Sequence, residues 1–162
     1  MTWREVFALQ GRAPSARHSH AAAVQNHSLF IFGGFDGGYK NDMHEFDFAN
    51  SQWSLVSSVG RRPRPRYRST LVAFKNTLIL FGGHDGQRHL ADTHIFDIET
   101  RTWTSPVIEG TPPIPRDSHV SVVHGNSMYG TFSSSCVHFL RTRCVLTEKM
   151  FHQFLGGLLE AP

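Results

Sequence analysis

The chain has 162 residues, of which 40% are hydrophobic and 18% are charged, and its formal net charge is +3. This composition is typical of a folded globular protein and excludes an intrinsically disordered chain. The sequence contains no stretch of about eighteen apolar residues that would predict a membrane span, and residues 1–10 lack the apolar core of a secretory signal. We therefore expect a cytoplasmic protein, with the nucleus as the alternative, and no membrane partner.

The chain is organised as a repeat whose elements recur in the same order. Residues 29–34 read LFIFGG and residues 78–83 read LILFGG, and each run is followed by a loop and by an aromatic residue seven positions before a tryptophan. A joint of the form G-x-x-P-x-x-R begins at Gly11, Gly60 and Gly110, so the period is 49 and then 50 residues. Glycine and proline at fixed places predict a joint of constant shape.

Each period contains four short segments that are rich in apolar, β-branched or aromatic residues. In the first complete period these predicted strands cover residues 18–24, 29–32, 43–48 and 53–57. Their length favours strands over helices, and before the C-terminal tail no run of twelve or more residues has helical periodicity. A period near fifty residues with four strands is typical of a β-propeller blade. The sequence thus predicts an all-β fold.

The residues that recur in register identify the family that the chain resembles. They are the diglycines Gly33, Gly34, Gly82 and Gly83 and the aromatic pairs Phe46 with Trp53 and Phe96 with Trp103. This pattern resembles the Kelch repeat, and the resemblance implies propeller blades built around these structural residues. The joints and FGGxDG loops are most similar to the leucine-zipper-like transcriptional regulator group. Members of that group join Kelch repeats to BTB domains and present substrates to cullin-3 ubiquitin ligases, although no BTB segment is visible in this sequence.

The repeat predicts how the chain is divided. We expect residues 1–10 to be the last strand of a preceding blade, residues 11–59 and 60–109 to be complete repeats, residues 110–129 to be a truncated repeat, and residues 130–162 to be an irregular or short helical tail. Two complete blades cannot close a ring of about four to eight blades, so we predict an unclosed arc whose open edges allow self-association. The alternative is an inert or dominant-negative fragment or isoform of a longer Kelch protein.

Antiparallel strand order places the joints and the loops between the second and third strands on one face of every blade. Loops on a rigid scaffold commonly carry recognition. We predict a protein–protein interaction module, used for substrate recognition or scaffolding, whose partner-binding residues lie in these loops. The candidates are Tyr39, Lys40, Arg61, Arg62, Arg64, Arg68, Arg88 and His89.

Three arginines, Arg17, Arg66 and Arg116, occupy the same place in all three joints. Recurrence within one chain favours a structural role over partner binding, and hydrogen bonds from the guanidinium groups to backbone carbonyls are the expected contacts. The arginine-rich segment 61–68 raises the alternative of nuclear localisation or nucleic-acid binding. No second basic cluster extends it, so we expect no nucleic-acid partner.

Other chemistry is not indicated by the residue patterns. The eleven histidines lack acidic or cysteine companions at metal-ligand spacing, and Cys136 and Cys144 do not form a CxxC pair. No nucleophile–histidine–acid set or paired carboxylates stand out, and the glycine-rich loops lack the Gly-Lys-Ser/Thr of a phosphate loop. We predict that the protein is not an enzyme and that it has no catalytic, metal or cofactor-binding residues.

Overall fold

The structure is a computed structural model that describes residues 2–3, 5–108 and 111–131. Within these residues all regular elements are β-strands, and they form three sheets. The first sheet, called the first blade, contains β1 (Gln10–Gly11), β2 (Ala21–Gln25), β3 (Ser28–Phe32), β4 (Met43–Asp47) and β5 (Gln52–Leu55). The second blade contains β6 (Val59–Gly60), β7 (Thr70–Phe74), β8 (Thr77–Phe81), β9 (Thr93–Asp97) and β10 (Thr102–Thr104). The third sheet contains β11 (Val120–His124) and β12 (Ser127–Thr131).

The prediction of an unclosed, all-β arc of propeller blades is confirmed. Four strands of each blade form an antiparallel meander, in the order β2 to β5 and β7 to β10. The predicted helix in the tail lies outside the described residues. Strand β12 extends to Thr131, two residues beyond the end that the sequence indicated for the third repeat.

Each blade also contains a fifth strand that the sequence did not predict. The two-residue strand β1 lies parallel to β5, and β6 lies parallel to β10. Gln10 therefore pairs with Gln52 in the first blade. A two-residue strand has no periodicity from which it could be recognised. The predicted domain boundaries, including residues 1–10 as the last strand of a preceding blade, stay predictions.

The innermost strand of the first blade begins later than predicted, at Ala21 instead of His18. Ser19 has a φ of 56°, in the left-handed region, and this breaks the extended backbone. His18 forms only an isolated bridge with Phe35. The equivalent residues Arg68 and Ser118 have φ values of 55° and 52°, so the same break recurs in each joint.

Two apolar cores lie between neighbouring sheets. The core between the two blades includes Phe30, Phe32, Leu78, Phe96 and Trp103, all of which are almost completely buried. A second core lies between the second blade and the third sheet. Both faces of the second blade therefore pack against neighbours, as expected for its central strand β8, which is a continuous apolar run instead of an alternating one. Strand β3 of the first blade has the same run.

Candidate partner-binding face

Joints and loops come together on one side of the blades because of the strand order. An isolated bridge connects His18 with Phe35 in the first blade, and another connects Tyr67 with His84 in the second. The backbone N–H of each residue in these pairs donates to the carbonyl of the other at 3.0–3.1 Å. Each joint is therefore fixed against the loop of its own blade. The surface that they form, called the loop face, consists of residues 12–19, 33–42, 63–68 and 82–92.

A row of ring side chains crosses the loop face from the first blade to the second. The ring centroids of Phe35 and Tyr39 are 5.2 Å apart, and those of Tyr39 and Tyr67 are 5.3 Å apart. The row continues to His84 at 5.8 Å from Tyr67 and to His89 at 5.1 Å from His84. These edge-to-face contacts stabilise the loops against each other. We call these five residues the aromatic row, and it crosses the boundary between the blades without a break.

Cationic side chains surround the aromatic row, and each is paired with an aspartate. The pairs are Lys40 with Asp36 at 2.9 Å, Arg64 with Asp85 at 3.1 Å, Arg88 with Asp85 at 3.9 Å, Arg68 with Asp117 at 3.5 Å and, when the imidazole is protonated, His89 with Asp117 at 3.3 Å. The carboxylates lie beneath the cations, since the side chains of Asp85 and Asp117 are 11% and 16% exposed whereas those of Arg64 and Arg88 are 49% and 67% exposed. The surface therefore presents guanidinium groups to solvent.

Asp85 both shapes its loop and holds two cations. Its Oδ1 atom accepts hydrogen bonds from the backbone N–H groups of Gln87 and Arg88, each at 3.0 Å. Desolvation by itself would raise the pKa of Asp85, but these hydrogen bonds and the contact with Arg64 outweigh it, so the pKa lies below its ordinary value. The carboxylate is ionised at neutral pH. Beside it, an open groove of about 440 Å³ is lined by Tyr39, Arg64, Pro65, Asp85 and Gln87.

The structure brings six of the eight predicted partner-binding residues onto the loop face, namely Tyr39, Lys40, Arg64, Arg68, Arg88 and His89. The other two, Arg61 and Arg62, directly follow β6 at the outer edge of the second blade. The backbone N–H of Arg61 donates to the Trp103 carbonyl at 2.9 Å, and the guanidinium of Arg62 donates to the Ser58 hydroxyl at 3.1 Å. Whether any of the eight binds a partner stays a prediction.

The joint arginines make the same set of contacts in both blades. Arg66 is fully buried, and its guanidinium donates to the Gly82 carbonyl at 3.0 Å and to both carboxylate oxygens of Asp92 at 2.7 and 2.9 Å. Arg17 contacts the Gly33 carbonyl and Asp42 in the same way, at 3.1, 2.6 and 3.0 Å. Planar, bidentate pairing of this kind requires arginine and is not reproduced by lysine.

The sequence did not reveal the acidic and histidine partners of these arginines. His94 Nε2 lies 2.9 Å from Asp92 Oδ2, and His44 Nε2 lies 3.0 Å from Asp42 Oδ2. Desolvation opposes ionisation of Asp92, but the hydrogen bonds from Arg66 and His94 outweigh this effect and lower its pKa well below the ordinary value. The Asp-x-His spacing, present in both repeats, was the signal that could have identified the network.

Arg66 also connects the two blades through its backbone. Its carbonyl accepts a hydrogen bond from the Gly34 N–H at 2.9 Å, and its own N–H donates to the Lys40 carbonyl at 2.9 Å, both in the first repeat. Gly33, next to this contact, has a φ of +67°, and a Cβ there would lie 2.6 Å from the Arg66 carbonyl oxygen. The diglycine therefore allows the backbone of the following repeat's joint to pack closely against it, in addition to ending a strand.

No group of three or more histidine, cysteine, aspartate or glutamate side chains is placed to hold a metal ion in the described part of the chain. In the same residues, no helix is long and apolar enough to cross a membrane.

The chain has the features of the class of β-propeller repeat proteins. Its two blades are stacked four-strand meanders whose second strands end in buried diglycines and whose third and fourth strands carry paired aromatic residues. Residues 1–150 match the family model described as the KLHDC2/KLHL20/DRC7 Kelch-repeats domain, and the chain belongs to this family. It is 34% identical over 121 residues to the mouse "Rab9 effector protein with kelch motifs", with 70% of this chain and 32% of the relative covered. It is 31% identical over 156 residues to human "Kelch domain-containing protein 1", with 78% and 38% covered.

A further relative is "Host cell factor" of Drosophila melanogaster, which is 28% identical over 151 residues, with 78% of this chain and 10% of the relative covered. The chain thus spans about a third of the length of the first two relatives. The Kelch-repeat prediction is confirmed. The finer resemblance, to the leucine-zipper-like transcriptional regulator group, stays a prediction, because none of the three relatives named above carries the name of that group.

Proposed function

We propose that this chain is a non-enzymatic protein-interaction module and that its partner binds the loop face. The observation that carries the proposal is the continuous aromatic row with exposed guanidinium groups beside it. Tyrosine and arginine are the residue types that contribute most binding energy in protein interfaces. The row lies on loops that are hydrogen-bonded to rigid blades, so little conformational entropy is lost when a partner binds.

The charge distribution indicates the chemistry of that partner. Arg64, Arg68 and Arg88 expose their guanidinium groups, whereas the paired aspartates are mostly covered. A protein segment with acidic side chains next to an aromatic or aliphatic residue would complement this surface. Electrostatic attraction of this kind mainly raises the association rate and is weakened by salt.

The relatives support the general class of function. One relative is named as a Rab9 effector protein, and an effector acts by binding another protein. Substrate presentation to a cullin-3 ligase is the finer form of the proposal, and it rests only on the resemblance of the joints and loops. A cytoplasmic or nuclear location likewise stays a prediction.

The test compares charge changes on the two sides of the blades. The double variant R64S/R88S removes two cations from the loop face, whereas K75S removes one cation from the turn between β7 and β8, on the opposite side. In affinity capture from a cell extract at low salt, we expect wild type and K75S to retain the same proteins and R64S/R88S to lose them. Equal retention by all three proteins would contradict the proposal. The variant R61S/R62S tests whether the two arginines at the outer edge take part.

A second candidate function is that of an inert or dominant-negative fragment of a longer Kelch protein. The observation that favours it is the chain's short coverage of its relatives. Capture by this chain and by a longer version that contains further repeats separates the two candidates, since an interaction module retains its partner in both.

For Arg17, Arg66 and Arg116 we propose a structural role, because the guanidinium groups of Arg17 and Arg66 face the interior of their own blades and the Arg116 guanidinium donates to the Ile114 carbonyl.

A further inference from the structure

The interface between the two blades shows what kind of surface a blade face accepts. Ala73, Leu78, Phe96 and Trp103 are cross-strand neighbours on the face of the second blade that contacts the first. Leu78 and Phe96 are 0% exposed and Trp103 is 1% exposed. Phe32 of the first blade covers this row, and its ring centroid lies 5.3 Å from that of Trp103. We call a face with this row a receiving face.

The first blade has the same receiving face, but no sheet of the described chain packs on it. Its cross-strand row contains Val24, Leu29, Phe46 and Trp53 at the equivalent positions. Val24 is 56% exposed, and Leu55 on the same face is 63% exposed. Between them Leu29 and Trp53 are partly exposed and Phe46 is buried. Exposed apolar side chains on a sheet face without a neighbouring sheet indicate an interaction surface.

At the other end of the arc, the third sheet has a covering face. Val123 and Met128 pack against the second blade, so the alternate residues of β11 project from the opposite side. Val120 and Val122 are 64% and 56% exposed there. By position in the repeat they correspond to Ala21 and Ala23, which lie on the face of the first blade that covers the second.

We propose that the receiving face of the first blade binds the covering face of the third sheet of a second copy of this chain. The contact continues the blade-on-blade interface already present within the chain, so the interface between the blades supplies both the geometry and the apolar chemistry. It is a head-to-tail contact, and two such contacts close a pair when the rotation between copies permits. Two copies bring together four five-stranded blades and two two-stranded sheets, and closed propellers have about four to eight blades.

The test is sedimentation velocity of the full chain from low to high micromolar concentration. We expect a species of about twice the 18.3 kDa chain mass. V24K and V122K each place a charge on one of the two faces, at positions that are already exposed, and each should raise the apparent dissociation constant at least tenfold. V107K is the matched control, since Val107 is 79% exposed and lies on neither face. L55K replaces V24K if thermal melts show that V24K does not fold.

Mixing the two variants identifies the head-to-tail arrangement. V24K retains its covering face and V122K retains its receiving face, so an equimolar mixture should associate although neither variant does so alone. A wild-type chain that stays monomeric at every concentration overturns the proposal. This includes the case in which another part of the same chain covers the receiving face. Association of V122K at wild-type strength also overturns it, because receiving faces would then be pairing with each other. An equal loss of association with V107K would also overturn it, because the added net charge would then explain the loss.

Discussion

A single arginine connects two repeats at the residue scale. The side chain of Arg66 is bound by Asp92 of its own blade, while its backbone N–H and carbonyl are hydrogen-bonded to Lys40 and Gly34 of the preceding repeat. A charge that is 0% exposed is stable only while its counter-ion is present. The Arg66–Asp92 pair therefore matters for both folding of the second blade and its alignment with the first.

We expect Asp92→Asn to lower the free energy of unfolding by about 2 kcal/mol, because it leaves the Arg66 guanidinium buried without a counter-ion. The value is below that of fully buried pairs since the Asp92 side chain is 39% exposed. Chemical denaturation at pH 7 measures it, with Glu99→Gln as an exposed control. The folded-state pKa of Asp92 is lowered, so the contribution of the pair is complete above about pH 4 and decreases as the pH falls further. An unchanged unfolding curve for Asp92→Asn would contradict this assignment.

The place of the joint arginines could be predicted from recurrence, but their partners could not. Arg66 and Asp92 are 26 residues apart in the chain and meet only because β9 lies beside β8 in the folded sheet. The same limit applies to the loop face: the loops were predicted from strand order, whereas the edge-to-face contact of Tyr39 with Tyr67 across the blade boundary depends on how the blades pack. Long-range contacts of this kind have no local periodicity in the sequence.

The strand that ends in the diglycine is the element on which packing between repeats depends. Residues 29–32 and 78–81 are apolar runs, which the sequence predicts for a strand with two covered faces. Both faces are covered by described sheets in the second blade, and one face is covered in the first. The two-residue strands β1 and β6 do not follow from the sequence, since a parallel pairing at the outer edge is made by backbone groups and places no demand on side chains beyond glycine. Their detection requires the folded sheet.

Two glycines of the first blade should respond differently to alanine. Gly33 has a φ of +67°, and a Cβ there would approach the Arg66 carbonyl oxygen to 2.6 Å, so we expect Gly33→Ala to destabilise the chain by about 2 kcal/mol or more. Gly38 is the matched control, because its φ is not positive and no heavy atom lies within 4 Å of its Cβ position. Differential scanning calorimetry measures both. Similar melting temperatures for the two variants would show that the joint does not need this close approach.

At the scale of the whole molecule, the two blades differ in how completely their faces are covered. Trp53 and Trp103 hold the same place in the repeat, and each packs on a phenylalanine of its own sheet at 5.1 and 5.0 Å. Only Trp103 is covered by a neighbouring sheet, and it is 1% exposed, whereas Trp53 stays partly exposed. Equal residues in equal repeats therefore contribute unequally to the stability of the arc.

We expect Trp103→Ala to cost about 3–5 kcal/mol, as large-to-small changes in a packed core do, and Trp53→Ala to cost about 1–2 kcal/mol. Denaturant unfolding, at concentrations too low for the chain to associate, measures both under the same conditions. The two substitutions remove the same atoms from the same place in the repeat, so the difference between them isolates the neighbouring sheet. Equal losses would mean that each blade is stable by itself and that packing between blades adds little. A larger loss for Trp103→Ala shows instead that packing between the blades adds to stability, and a head-to-tail pair would extend such packing across two copies.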